Sequence, residues 1–219
     1  MREDILSRLS RINEEEKRIL DGENKVNKRL YTAFAREFIV NSHRLMQDGE
    51  QIALRRHTRF ADFPAHGHNY VEMTYVCSGE VTHVIKHREV KMRAGDALLL
   101  NRHAQHSVRK TGEGDISINV MLATECFHSL ASALPISSPL SSFMAENIRS
   151  NGEGEYMLFS TEGVPPLENL FETSSSPPTT IIRSPASWAL NLSINILAIA
   201  MEFVINVTFC TPDIQCAMA

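Results

Sequence analysis

The chain has 219 residues, 43% hydrophobic and 22% charged, a normal globular balance with ample material for one good-sized core. Its formal net charge of −4 excludes an overall field that would draw it to nucleic acid or to an anionic membrane. Cys77, Cys126, Cys210 and Cys216 show no CxxC and no framework spacing, which predicts free thiols in a reducing cytosol. The N-terminus, MREDILSRLSRINEEEKRIL, lacks an apolar signal core, so secretion is not expected.

Residues 1–34 read as a helical arm. Ile5, Leu9 and Ile12 fall at helical spacing, Asn13 followed by Glu16 has the form of a capping box, and Asp21-Gly22 marks a stop. The arm is charged and amphipathic and is not expected to form a site. From Gln51 to Ala123 the pattern changes to short β-rich runs: QIALRR, EMTYVC, EVTHVIK, EVKMR, ALLLN, HSVRK and DISINVML. They are divided by Ser78-Gly79, His87-Arg88, Ala94-Gly95-Asp96 and Thr111-Gly112. Such even spacing predicts an antiparallel sandwich or barrel rather than a parallel sheet. One hairpin tip reads KHRE where Asn-Gly would be usual, so another turn type is expected there.

After Ala123, ECFHSLASAL and PLSSFMAENIRS read as short helices and EYMLFS as one more strand. The composition then shifts: within 173–219 the only charged residues are Arg183, Glu202 and Asp213, and the segment opens with TSSSPPTT. The apolar run at 188–210 is long enough to suggest a membrane span. Asn191, Asn195, Glu202 and Asn206 would all need partners in hydrocarbon, so a buried or dimer-forming helix is expected instead.

The chemistry-bearing cluster lies in FPAHGHNYVEMTYVCSGE, where His66, His68 and Glu72 sit close together before an apolar strand. On a strand, His66 and His68 point the same way. Glu72 follows a short corner, and His106 begins a strand after the Gly95-Asp96 turn and a polar corner. Imidazoles and a carboxylate on neighbouring strands suit a divalent ion such as Zn, Fe, Mn or Ni. Equally, they are polar residues that a surface loop would carry. His43, His57, His83, His87 and His128 read as ordinary polar residues on loops or strand faces. His103 is an alternative to His106, disfavoured by its corner position.

HGHNYVEMTYVCSG resembles the first cupin motif and GDALLLNRHAQH the second. The longer stretch from His57 to Val108 resembles the N-terminal sensor domain of AraC-type bacterial transcription regulators, and the resemblance covers roughly Lys25 to Glu172. It implies a mainly β fold, the cupin double-stranded β-helix or jelly-roll barrel, with an N-terminal helical arm and C-terminal helices that pair two subunits. The implied divisions are an arm at 1–34, the barrel at 35–124, a helical dimerisation segment at 125–172, and a low-charge tail at 173–219. Carried over position by position, His66, His68, Glu72 and His106 are the metal-type ligands, and a small, sugar-like effector binds inside the barrel. Phe63, Tyr70 and Thr74 are the candidate ligand contacts.

Regulators of this type continue into helix-turn-helix units, whereas nothing after Glu172 resembles a recognition helix. The expectation is that 173–219 arose by frameshift or truncation, and that DNA is bound only through a module absent from this chain. The whole is expected to be cytoplasmic, homodimeric and not an enzyme. The alternative is a metal-dependent cupin enzyme of sugar isomerase or dioxygenase type, which needs a general acid or base beside the metal. The expected inner wall, Met73 or Thr74, Tyr75 or Val76, Leu98 or Leu99, and Ile118 or Val120, is apolar and lacks a second carboxylate. Such a wall suits holding a ligand more than transforming one.

Overall fold

The structure is a computed structural model that describes residues 3–32, 37–125 and 139–160. Ten strands are present among them: β1 Ile39–Val40, β2 Ile52–Arg56, β3 Phe63–His68, β4 Val71–Ser78, β5 Glu80–Ile85, β6 Arg88–Arg93, β7 Asp96–Leu100, β8 His106–Val108, β9 Ile116–Leu122 and β10 Tyr156–Ser160. They form two five-stranded sheets, ordered β1-β3-β8-β5-β6 and β10-β7-β4-β9-β2. All pairings are antiparallel except the parallel contact of β1 with β3. The predicted mainly β fold is therefore present, and each run read as a strand lies on one. β1 and β3 complete the first sheet. β1 is too short to show alternation, and Pro64 and Gly67 mask the strand character of β3.

β4 is buried on both faces, and alternation divides its side chains between two cores. Thr74 and Val76 face the space between the sheets, where Val76 packs with Leu98, Leu100, Met121 and, from the opposite sheet, Val81 and Ile85. Met73, Tyr75, Leu99, Ile118 and Val120 point the other way, into a second core covered by Leu9 of the arm and by Phe143 and Met144. These last two belong to a helix at Pro139–Ile148, where PLSSFMAENIRS predicts one. Of the expected inner wall, Thr74, Val76 and Leu98 do face inward. Ile118 and Val120 both face outward, and the inward positions of β9 are Asn119 and Met121. The helix expected from ECFHSLASAL, the tail at 173–219 and the apolar run at 188–210 lie outside the described residues. Among the described residues no helix is long and apolar enough to cross a membrane.

The arm is broken rather than continuous: α1 at Glu3–Leu9, α2 at Glu14–Arg18, a π turn at Ile19–Glu23 and a 3-10 turn at Lys28–Leu30. The capping box forms, with the Glu16 N–H donating to Asn13 Oδ1 at 2.8 Å and the Asn13 N–H to Glu16 Oε2 at 3.1 Å. The stop at Gly22 is a left-handed residue with φ of 121°, a conformation glycine adopts without penalty. The arm's acidic face is not solvated. Glu16 is 0% exposed and receives Arg59 Nε at 2.8 Å and Arg56 Nη2 at 2.5 Å. Arg59, itself 1% exposed, also donates to the carbonyls of Ser10 at 2.9 Å and Glu113 at 2.7 Å. Beside it, Glu15 Oε2 accepts from Arg55 Nη2 at 3.0 Å, Tyr31 Oη at 2.7 Å and Thr58 Oγ1 at 3.0 Å.

Burial alone would raise the Glu16 carboxyl. The Arg59 and Asn13 hydrogen bonds and the nearby guanidinium charges outweigh it, leaving the pKa below the ordinary 4.5. Removing one partner of a buried pair strands the other charge and costs about 3–5 kcal/mol. Glu16→Ala is thus expected to lower stability by that amount in chemical denaturation, with Glu14→Ala, in an exposed position, near neutral. The Glu16 contribution is present above pH 4.5 and fades as pH falls through the lowered folded value. An unchanged midpoint in Glu16→Ala would show that the arm is not locked by this pair.

The β5–β6 hairpin corrects the turn expectation. Lys86 and His87 have φ of 48° and 65°, the left-handed pair that marks a type I′ turn, built without Asn or Gly. Left-handed backbone costs an ordinary residue about 1–2 kcal/mol. His87→Gly is expected to raise the melting temperature by a few degrees, about 0.5–1 kcal/mol of net stabilisation once glycine's greater unfolded entropy is counted; a lowered melting temperature would contradict the turn assignment.

Candidate functional site

Register brings the site together. His66 on β3 lies directly opposite His106 on β8, with a shift in register between Phe63 and His66. Phe63 and His66 are an odd number of residues apart, so strict alternation would send them to opposite faces. The irregularity lets both be buried. His68 follows two residues on, and Glu72 on β4 lies between Leu100 and Met121 of its neighbours. His66, His68, Glu72 and His106 are all buried and adjacent. The ring centroids of His66 and His106 are 4.2 Å apart and those of His68 and His106 are 5.6 Å apart, and His106 Nε2 is 3.8 Å from Glu72 Oε1.

Two histidines expected to be ordinary polar residues join them. His83, 1% exposed, has its Nδ1 3.0 Å from His106 Nδ1, and His57 is buried with its ring 5.6 Å from that of Phe63. The signal for His83 was the alternation Val81, His83, Ile85, which places it on the same inward face as two core residues. His103 is apart from the cluster, donating its N–H to Asn101 Oδ1 at 3.2 Å. His43 and His87 are not buried, and His128 lies outside the described residues.

Phe63 and Tyr70 line an internal cavity together with Tyr31, Arg55, His57, His66, Glu72, His106 and Asn119. Thr74 does not line it; it lies beneath Glu72, with Oγ1 3.5 Å from Glu72 Oε1 and 3.3 Å from Asn119 Oδ1. The wall is consequently much more polar than its sequence suggested. Tyr31, Arg55 and Asn119 were not singled out from the sequence. Arg55 and Asn119 are legible only as inward positions of their strands, and Tyr31 reaches the cavity through the path of the arm. The free volume is about 20 Å³, room for one or two water molecules and too little for a sugar.

Burial dominates the electrostatics. It pulls His57, His66 and His83 down to about 3 and His68 to about 4, and drives His106 well below the ordinary 6.5. It pushes Glu72 up to about 7, against hydrogen bonds from Tyr70 and Thr74 that pull it back. All five imidazoles are therefore neutral in the folded chain near pH 7, with lone pairs available to a cation or a donor.

Among the described residues no group of three or more His, Cys, Asp or Glu is arranged as a metal site. The donor types, imidazole nitrogens and a carboxylate, are nonetheless those that divalent cations take. The Nε2 atoms of His68, His83 and His106 are buried without a hydrogen-bond partner, an expensive condition for a buried polar group. His68 Nδ1 is engaged with the Tyr70 carbonyl at 2.6 Å and His66 Nδ1 with the Pro64 carbonyl at 2.9 Å, the outer-shell bonds that hold liganding imidazoles in one tautomer. The donors adjoin one another without converging on a common point.

Residues 46–122 match the family model described as cupin domain. Two packed β-sheets, with histidines of β3 and β8 facing the carboxyl of β4, give these residues the cupin fold. No curated protein sequence matches it significantly. Among solved structures it is similar to ToxT from Vibrio cholerae, at 18% identity over 76% of this chain and 61% of that one, with a TM-score of 0.43. An unsaturated fatty acid-bound form of ToxT matches at 16% identity over 75% of this chain and 58% of that one, with a TM-score of 0.44. KdgF from Halomonas sp. matches at 19% identity over 33% of this chain and 69% of that one, with a TM-score of 0.30. This chain spans about three fifths of the length of the ToxT chains.

The pKa values fix a pH dependence for the metal-free chain. Each buried histidine favours the fold above pH 6.5, and its contribution is lost as pH falls towards its folded value near 3 to 4, because the unfolded chain takes up the proton first. Each accounts for about 1.4 kcal/mol per pH unit in that window. Glu72 acts oppositely, favouring the fold below pH 4.5 and losing that contribution as pH rises through about 7. It offsets one histidine. Urea unfolding with chelator present should therefore give a markedly lower stability at pH 5.5 than at pH 7.5, and His57→Gln should flatten the slope by about one proton. Equal stabilities at the two pH values would show that the imidazoles are not buried as neutral groups.

Proposed function

We propose that this chain is the effector-sensing part of an AraC-type transcription regulator, whose cupin barrel binds a small polar, sugar-like ligand. The observation that carries this reading is the shared network of arm and cavity. Tyr31 and Arg55 line the cavity, and both are hydrogen-bonded to Glu15 of α2. A space of about 20 Å³ admits no effector unless part of its wall moves, and Tyr31 is the wall residue contributed by the arm. Occupancy of the barrel is thereby linked to the seating of the arm, because a ligand that displaces Tyr31 must also break its bond to Glu15. Sensing requires such a linkage, and turnover does not.

In this reading His66, His68, Glu72 and His106 hold a divalent cation (Zn, Fe, Mn or Ni) that would supply a positive centre for ligand hydroxyl or carboxylate oxygens. Phe63 and Tyr70 offer ring contacts. The protein works in the cytoplasm as a homodimer, and DNA is contacted by a separate module of the regulator. A second reading, a metal-dependent cupin enzyme of sugar isomerase or dioxygenase type, is favoured by Glu72. A buried carboxyl with a pKa near 7 is suited to general acid or base work.

Thermal denaturation with sugars, small carboxylates and fatty acids, each with and without Zn²⁺ or Mn²⁺, separates the two. A binding ligand should raise the melting temperature by linkage, increase proteolytic cleavage of the arm, and be recovered unchanged after long incubation. Tyr31→Phe should retain the thermal shift and lose the ligand's effect on the arm. His68→Ala should lower cation content where His87→Ala does not. A chemically altered product would overturn sensing in favour of the enzyme.

A further inference from the structure

The cation set carried over from the cupin motifs omits His83, and its geometry gives it a defined task. On the sheet, His83 pairs with Val108 and His106 with Ile85, so the two imidazoles are diagonal neighbours on one face. Their ring planes are parallel within 2°, with centroids 5.1 Å apart and the two Nδ1 atoms 3.0 Å apart. An Nδ1···Nδ1 distance about 2 Å shorter than the centroid separation means that the two rings face each other edge on. The nitrogens lie between them, as in an edge-to-edge hydrogen bond. Both side chains are buried, and the Nε2 of each has no partner.

An N···N hydrogen bond between two imidazoles needs one proton and one lone pair. A neutral imidazole carries a single N–H, and a ring nitrogen that gives its lone pair to a cation or accepts a hydrogen bond carries no proton. If His106 is to give its Nε2 lone pair to a cation beside Glu72, its proton must sit on Nδ1, facing His83. His83 must then accept through its own Nδ1 and keep its proton on Nε2. We propose that His83 is a positioning residue of the site: by accepting the His106 Nδ1–H it fixes the tautomer and ring orientation that aim His106 Nε2 at the space beside Glu72. His66 and His68 have backbone carbonyls in the equivalent position, at 2.9 Å and 2.6 Å from their Nδ1 atoms. His106 has the His83 imidazole instead. A carbonyl can only accept, whereas an imidazole can also donate, so the His106 tautomer depends on the partner's proton as well as on its own.

This inference rests on the cation reading proposed above, and the test keeps the two apart. The full chain, its His83→Phe and His83→Gln variants and His106→Ala are titrated with Co²⁺, followed by its visible absorption. The Zn²⁺-loaded proteins are examined by ¹⁵N-resolved imidazole NMR. Wild type should bind Co²⁺, and in its Zn²⁺ form His106 should carry its proton on Nδ1 and His83 on Nε2. His83→Phe, which fills the space but cannot accept, should bind Co²⁺ at least tenfold more weakly and lose the protected His106 Nδ1–H signal. His83→Gln, whose amide oxygen accepts, should recover most of the affinity. A packing role would instead leave Phe no worse than Gln. If wild type takes up neither ion, the cation reading itself is overturned, and this inference with it. If wild type binds but His83→Phe binds within twofold of it, or His106 is protonated on Nε2 in the Zn²⁺ form, the positioning role alone is overturned.

Discussion

Alternation along β2 sends Arg55 towards the cavity and Arg56 towards the arm, and two adjacent glutamates of α2 meet one each. Glu16, held also by Arg59, is the deeper pair; neither its carboxylate nor the Arg59 guanidinium reaches solvent. A pair of this kind gives little net stability relative to an apolar replacement, because desolvation consumes most of its attraction. For Arg56 burial prevails over the pull of Glu16 and leaves its pKa below the ordinary value. What the pairs supply is uniqueness of position. An arm that slipped by one residue would bury two carboxylates without partners, so α2 has one seat on the barrel, and Tyr31 is carried with it into the cavity wall.

Burial accounts for the electrostatics of the groups in the interior. Five imidazoles and a carboxyl that would titrate freely in water are kept neutral or nearly so by burial. The cost appears as unpartnered ring nitrogens on His68, His83 and His106, groups that a native interior ordinarily satisfies. A guest larger than a water molecule needs the wall to part. A polar lining and a wall tied to the arm distinguish the site from an apolar pocket of ready-made shape.

The fold alone leaves both regulator and enzyme open, since one barrel serves either role. The weight given to sensing comes from the Tyr31–Glu15–Arg55 network, a feature of this chain's own arm. Glu72 keeps the enzymatic alternative alive by the same physics that builds the site, because desolvation gives a carboxyl a pKa suited to moving protons whether or not a reaction uses it.

Much of the barrel was legible in the sequence because its signals are local. Turn residues at Ser78-Gly79 and Gly95-Asp96, short apolar runs between them, the capping box at Asn13 and Glu16, and the spacing of His66, His68, Glu72 and His106 all act within a few residues of themselves. Gly79 shows why such a signal is reliable: its φ is 71°, and a Cβ there would lie 2.2 Å from Asp115 Oδ1, so no other residue fits. Tertiary structure decided what alternation leaves ambiguous. Met73 against Thr74 and Leu98 against Leu99 are equally apolar choices until one sheet is laid on another, and the register irregularity in β3 that buries Phe63 with His66 has no signature beyond a proline and a glycine. It also decided the partners of long reach. Glu15 and Glu16 meet arginines some forty residues away, and His83 meets His106 across β5 and β8. No pattern within a strand or helix announces such pairs, because they are set by which surfaces the sheets bring together and by the cost of burying a charge or a ring nitrogen alone.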